Sequence, residues 1–239
     1  MRAGKTIGVV IPARNEEAAI GTVVAAIPSW VDRVIVVDNG STDATAERAR
    51  GAGATVVTEP EPGYGAACLA GIAALGDVDI LVFCDGDAAD HPEDMADLVD
   101  PILASTADLV IGSRTLGSRE PGALSPQQVF GNWLATRLIA WRWGVRFTDL
   151  GPFRAIRRDR LEALHMADRT YGWTVEMQVK AARMGLACRE VPVRYRRRIG
   201  TSKISGTVRG TVLAGTTILS LIARHWLSSD RLGVGRSVG

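Results

Sequence analysis

Ile80-Leu81-Val82-Phe83-Cys84-Asp85-Gly86-Asp87 is the stretch on which the fold turns. Five apolar residues in a row, bounded by polar ones, read as a short strand buried on both faces. The run then stops at two carboxylates flanking a glycine. Upstream, similar runs recur at residues 6–11, 33–37 and 54–58, with helical spacing of apolar residues over 16–27, 42–50 and 64–75. Downstream, residues 92–103 read as a helix with Pro92 in its first turn, and 108–111 as another strand. Short buried strands alternating with helices predict parallel β-α-β units. The class is α/β, an open, mostly parallel sheet flanked by helices. Ligands of such sheets bind beyond the carboxyl ends of the strands.

The second half is less regular. A loop over 115–126 precedes an apolar helix over 127–143 that carries Trp133, Trp141 and Trp143. Residues 153–156 and 187–195 read as strands, and 172–184 and 208–226 as helices. No internal repeat or linker divides the chain, so one domain is expected over residues 1–228, with a polar tail over 229–239.

Composition sets bounds on function. The 239 residues are 46% hydrophobic and 23% charged, which excludes disordered and collagen-like classes. A net charge of +2 gives no field to draw nucleic acid. Cys68, Cys84 and Cys188 are odd in number and lack a CxxC spacing, against a disulfide framework or a zinc site. No signal peptide is read at the N-terminus, so a cytoplasmic location is expected. The longest uncharged stretch, residues 210–223, falls short of the roughly 20 residues a membrane span needs. The helix around it has a broad apolar face, fitting either the bilayer interface or packing on the sheet.

The loops after the strands carry the chemistry. Asp85 and Asp87 set two hard oxygen ligands at i and i+2, suited to Mg²⁺ or Mn²⁺ bridging a diphosphate. The other reading is a solvated acidic turn. Pro12-Ala13-Arg14-Asn15-Glu16-Glu17 offers Arg14 and Glu16 as nucleotide contacts and Glu17 as a helix-dipole partner. Asp38-Asn39-Gly40-Ser41-Thr42-Asp43 offers Asp38 as an acceptor for a base or ribose, with Ser41 or Thr42 capping the next helix. Gly63-Tyr64-Gly65 suits either close approach of an anion to a helix N-terminus or a simple turn. The basic run Arg196-Arg197-Arg198-Ile199-Gly200-Thr201-Ser202-Lys203 reads as a phosphate clamp, with Arg114, Arg119 and Arg154 converging on the same anions. Glu176 is either a buried acid of the site or a structural partner for a cation.

These motifs, together with Gly112-Ser113-Arg114 and Asp149-Leu150-Gly151-Pro152-Phe153-Arg154, occur in the order seen in family 2 glycosyltransferases. The chain resembles their dolichyl- or polyprenyl-phosphate mannose synthase branch over residues 5–226. The resemblance implies a single-domain, Rossmann-like GT-A fold; the helix over 207–227 stays open between a membrane-interfacial helix and one packed on the sheet. It implies that Pro12, Ala13, Arg14, Glu16, Asp38, Gly65, Asp85 and Gly86 hold a nucleotide-sugar donor of GDP-mannose or UDP-glucose type. Asp85 and Asp87 would bind the metal. Asp87, Asp149, Arg114, Arg198 and Lys203 would form the catalytic set, with Arg154 lining the donor and acceptor region. The implied reaction is inverting hexose transfer to a polyprenyl phosphate, by a cytoplasmic enzyme peripheral to the inner face of the membrane. Two positions depart from the pattern. Ala89, followed by Asp90, stands where relatives often carry glutamine, and Asn39 replaces a second aspartate. The same chemistry on a soluble hydroxyl acceptor is an alternative, needing a base from Asp149, Glu176 or Asp90. A non-catalytic nucleotide- or lipid-binding scaffold is another.

Overall fold

The computed structural model describes residues 1–200 and 208–229, with side chains of the last helix described over 215–226. Seven strands form one sheet in the order β3-β2-β1-β4-β6-β5-β7. The strands are β1 (Ile7–Ala13), β2 (Arg33–Asp38), β3 (Thr55–Thr58), β4 (Ile80–Phe83), β5 (Leu109–Ser113), β6 (Arg154–Arg157) and β7 (Cys188–Pro192). The helices are α1 (Ile20–Ala25), α2 (Thr45–Gly51), α3 (Tyr64–Leu75), α4 (Met95–Leu103), α5 (Pro126–Trp143), α6 (Arg158–Leu164), α7 (Trp173–Met184) and α8 (Val208–Ser229). All strands run parallel except β6, which is antiparallel to β4 and β5. Its reversed direction matters for the site. The loop over 149–153 enters the sheet at the rim where the other strands leave it.

Period-two alternation on the central strands feeds two apolar layers. Ile7, Val9 and Ile11 of β1 pack with Val23 of α1 and Met95 and Leu98 of α4. Val10 faces the other way, into a layer with Leu75 of α3, Phe83 of β4 and Trp173 of α7. β1 pairs with β2 on one side and β4 on the other, so the chain crosses over in both directions from it. A crevice opens at the carboxyl ends of β1 and β4, the usual place for a ligand.

Helices α1 and α2 begin later than their apolar spacing predicts, whereas α3 has the expected bounds. Residues 16–19 form a turn ahead of α1, after Asn15 takes a left-handed φ of 52°. The capping expected of Ser41 or Thr42 falls to Asp43, which accepts the Thr45 N–H at 3.0 Å. Ser41 instead accepts the Asn15 N–H and ties the two loops together. The two-turn helix α6 escapes a periodicity reading because it is brief and rich in charge. Among the described residues, no helix is long and apolar enough to cross a membrane.

At the opposite rim Asp79 accepts from Lys5 Nζ at 2.8 Å and from both the backbone and hydroxyl of Thr6. These bonds hold its carboxyl down at about 2. A depressed folded value means stability that is present above the unfolded carboxylate range and lost as pH falls through the folded value. Half exposure limits the contribution to about 1 kcal/mol or less. Urea titrations should show Asp79→Asn less stable than wild type at pH 6, with the difference vanishing near pH 2.

Candidate active site

Two adjoining clefts occupy the crevice. The first is walled by Pro12, Ala13, Arg14 and Glu16 from the end of β1, by Asn39, Gly63 and Tyr64, and by Asp85, Gly86 and Asp87 after β4. The second is walled by Arg114, Leu150, Pro152 and Tyr195, and it runs outward past Gln127, Gly131, Gly215 and Ile218. Tyr64, Asp85, Asp87, Tyr171 and Arg198 belong to both. The acidic pair therefore stands on the boundary between two ligand spaces.

Negative charge is crowded at that boundary. Asp87 and Asp90 are buried at 5% and 1% exposure, which leaves little water to solvate them. Burial first, then the charge of Asp87, pushes the Asp85 carboxyl up, against a hydrogen bond from the Tyr64 hydroxyl at 3.0 Å. Asp90 is pushed up as well, chiefly by burial, and its Oδ1 has no hydrogen-bond partner. Ala88, between them, holds a left-handed φ of 61°, strained for a residue with a Cβ. Carboxylates so crowded and desolvated fit a divalent cation, and an all-oxygen set suits Mg²⁺ or Mn²⁺. Among the described residues, Asp90 does not join Asp85 and Asp87 in a group of three metal-ligating side chains. Asp85 and Asp87 would hold the ion alone, with the remaining positions left to ligand oxygens or water.

The basic run is not a free clamp. Beyond β7 it lies beside the acidic turn: Arg196 N–H donates to Ala89 O at 3.0 Å and Ile199 N–H to Asp87 O at 2.9 Å. Arg196 Nε is spent on Ala88 O and Arg197 Nε on Pro121 O. Arg198 alone reaches the cleft, its Nη2 at 3.0 Å from Asp87 and 3.2 Å from Glu16. Its Nε is buried without a partner. Lys203, with Thr201 and Ser202, lies outside the described residues.

The other arginines do not converge as the sequence reading expects. Arg114 forms a fork on Asp149, with both bonds at 2.7 Å, and stacks over Tyr195 at 5.1 Å. Burial alone would raise the Asp149 carboxyl, but Arg114 more than offsets it and the value falls. Asp149 is fully buried and lines neither cleft. It fixes Arg114 on the wall rather than facing a ligand. Arg154 is buried beneath the site, where it donates to Gly151 O, Leu150 O, Thr174 O and Gln178 Oε1. Burial lowers it to about 10, since no carboxylate bonds to it. Arg119 stands away, on an outer groove. Glu176 is the structural partner, not an acid of the site: it pairs with Lys180 at 2.8 Å and accepts the Ala167 and Asp168 N–H groups.

Two further positions are placed off the wall. Asp38 is half-buried at the end of β2, with Oδ1 accepting the Ser41 N–H at 3.0 Å, and it does not line the first cleft. Its neighbour Asn39 does line it, with its amide spent on Glu59 O, Glu61 O and Gly63 N–H. Gly65 donates its N–H to Thr170 O, and a Cβ there would lie 2.0 Å from Asp168 O. The close approach that demands glycine is that of another loop, not of an anion. Tyr64, Tyr171 and Tyr195 are the wall residues that sequence reasoning passes over. Tyr64 sits inside a quoted motif, but nothing in the local sequence marks the other two.

The chain belongs to glycosyl transferase family 2, whose model matches residues 8–164. It is 39% identical over 225 residues to an uncharacterised glycosyltransferase of Mycobacterium tuberculosis, covering 89% of this chain and 95% of that one. It is 32% identical over 251 residues to the undecaprenyl-phosphate mannosyltransferase of Micrococcus luteus, covering 94% and 98%. Among solved structures, it superposes with a TM-score of 0.76 and 29% identity on glucosyl-3-phosphoglycerate synthase of Mycobacterium tuberculosis in complex with Mn²⁺, UDP-glucose and phosphoglyceric acid. That match covers 94% of this chain and 81% of the other, and the fold is the GT-A fold.

Because the Gly65 contact is backbone on backbone, Gly65→Ala should cost about 1–3 kcal/mol of stability by overpacking. A lower unfolding midpoint is expected. Unchanged stability with lost nucleotide affinity would restore the anion reading.

Proposed function

We propose that this enzyme transfers a hexose from a nucleoside-diphosphate sugar to a polyprenyl phosphate, with inversion at the anomeric carbon. One observation carries the reading, the lining of the outer cleft. Its inner end holds Arg114 and Arg198, and its only carboxylates among the described residues are Asp85 and Asp87. Past Gln127, Gly131, Gly215 and Ile218 it merges into a groove between α5 and α8 whose wall, among the described residues, carries no charge. Cations at the deep end and an uncharged, largely apolar groove beyond it match a phosphate on a long apolar chain.

The chemistry agrees with that lining. A hydroxyl acceptor must lose a proton as it attacks, and so needs a base within reach. Asp149 is committed to Arg114, Glu176 to Lys180, and Asp90 lines neither cleft. A phosphate acceptor is already an anion, and its oxygen attacks the sugar carbon while the bond to the donor diphosphate breaks. Arg114, held in place by Asp149, is suited to neutralise the incoming phosphate. Arg198, between the clefts, is suited to take up negative charge as the diphosphate departs. A divalent cation on Asp85 and Asp87 would supply Lewis-acid stabilisation of that same leaving group.

The likeness to glucosyl-3-phosphoglycerate synthase favours a second reading, a small phosphorylated acid as acceptor. The two part on one assay. With labelled nucleotide sugar, membrane lipid extract and phosphoglycerate offered together, the label is expected in the organic phase. Label confined to the aqueous phase overturns the lipid acceptor.

The groove gives a sharper test. A Cβ built on Gly131 or Gly215 meets nothing within 4 Å. Gly131→Leu and Gly215→Leu should therefore fold and fill the space, raising KM for a polyprenyl phosphate by about tenfold or more, a loss of about 1.4 kcal/mol. Unaltered KM in both would place the chain elsewhere.

A further inference from the structure

Helix α5 turns an apolar ridge outward. Val129, Trp133, Arg137 and Trp141 follow at four-residue spacing and so share one face, with Phe130 beside them. Phe130, Trp133 and Trp141 are 61%, 52% and 75% exposed. Single exposed apolar residues are ordinary on a folded surface, but three large aromatic rings on one helix face form a patch. The rings are ordered against neighbours: Phe130 lies 5.9 Å from Trp133, and Trp141 packs edge-on to Trp226 of α8 at 4.6 Å.

Arginine is interleaved with these rings. Arg137 stands over Trp133 at 6.0 Å. An open groove beside the ridge holds Arg119, Arg137 and Arg146, and no acidic side chain among the described residues lines it. Aromatic rings that settle at headgroup depth, with guanidinium groups placed for lipid phosphates, make up an interfacial surface.

We propose that this face of α5 docks on an anionic bilayer. Charge decides against a second copy of the chain, since a symmetric contact would set the arginines of one copy against those of the other. Continuity with the site points the same way. The uncharged groove between α5 and α8 includes Phe130 and Leu219, both exposed, so its mouth opens beside the ridge. A lipid acceptor then enters sideways from the membrane without its chain crossing water. That consequence rests on the acceptor reading above, whereas the docking itself does not. Of the two sequence readings of α8, Leu221 and Ile222 follow the packed one, since both are buried in the core.

Flotation of the full chain with vesicles tests this. Binding is expected to an equal mixture of phosphatidylcholine and phosphatidylglycerol, about tenfold or more weaker to phosphatidylcholine alone, and weakened by salt. Trp133→Ser with Trp141→Ser, and separately Arg137→Glu with Arg146→Glu, should each lower binding by about tenfold or more while far-UV circular dichroism shows the chain still folded at the assay temperature. Wild-type chain that stays with the buffer, variants that float like wild type, or a wild-type dimer that the variants dissociate would each overturn the proposal. Lipid-phase product without vesicle binding sinks the docking and spares the acceptor. Vesicle binding with only aqueous product does the reverse.

Discussion

Negative charge packed into the turn after β4 is the constraint the rest of the site answers to. Asp85, Asp87 and Asp90 stand within one short stretch, two of them buried, where water cannot solvate them freely. Isolated buried carboxylates are costly, so they need cations or hydrogen-bond donors close by. The fold brings these in from far along the chain. Residues 196–199 run beside the turn, and Arg198 is carried onto Asp87 from more than a hundred residues away. The Tyr64 hydroxyl comes from the start of α3.

Arginine serves three distinct ends here. Arg198 faces the ligand space. Arg114 faces it too, but its direction is set from behind by Asp149, through two parallel bonds that fix the plane of the guanidinium. Arg154 faces no ligand space and holds the 150–151 backbone and α7 in register from below. Buried ion pairs of this kind add little net stability, and what they supply is a fixed geometry. The geometry they fix is a wall with cations whose outer part carries, among the described residues, no carboxylate besides Asp85 and Asp87, which suits an acceptor that arrives already charged.

Much of the fold is legible in the sequence because strand burial and helix spacing leave a local trace. The run over 80–84 and its four companions stand out by apolar content alone, and the order of loaded loops places the crevice. Site residues are legible where chemistry follows a strand directly, as at Pro12 and Asp85. They are not legible where a partner is distant. Nothing near Asp149 reveals that Arg114 saturates it, and nothing near Gly65 reveals the loop over 168–170 against it. The aromatics of α5 stay open between core and membrane-facing in the sequence, since apolar content cannot tell a core face from a surface patch.

The proposed transfer rests on the acidic turn acting with a cation upon a diphosphate. Calorimetric titration of UDP and GDP, with and without Mn²⁺, tests it most directly. At least one of the two should bind tightly only with Mn²⁺ present, and Asp85→Asn should abolish that dependence. Equal affinity with and without the ion, in wild type and variant alike, would contradict it.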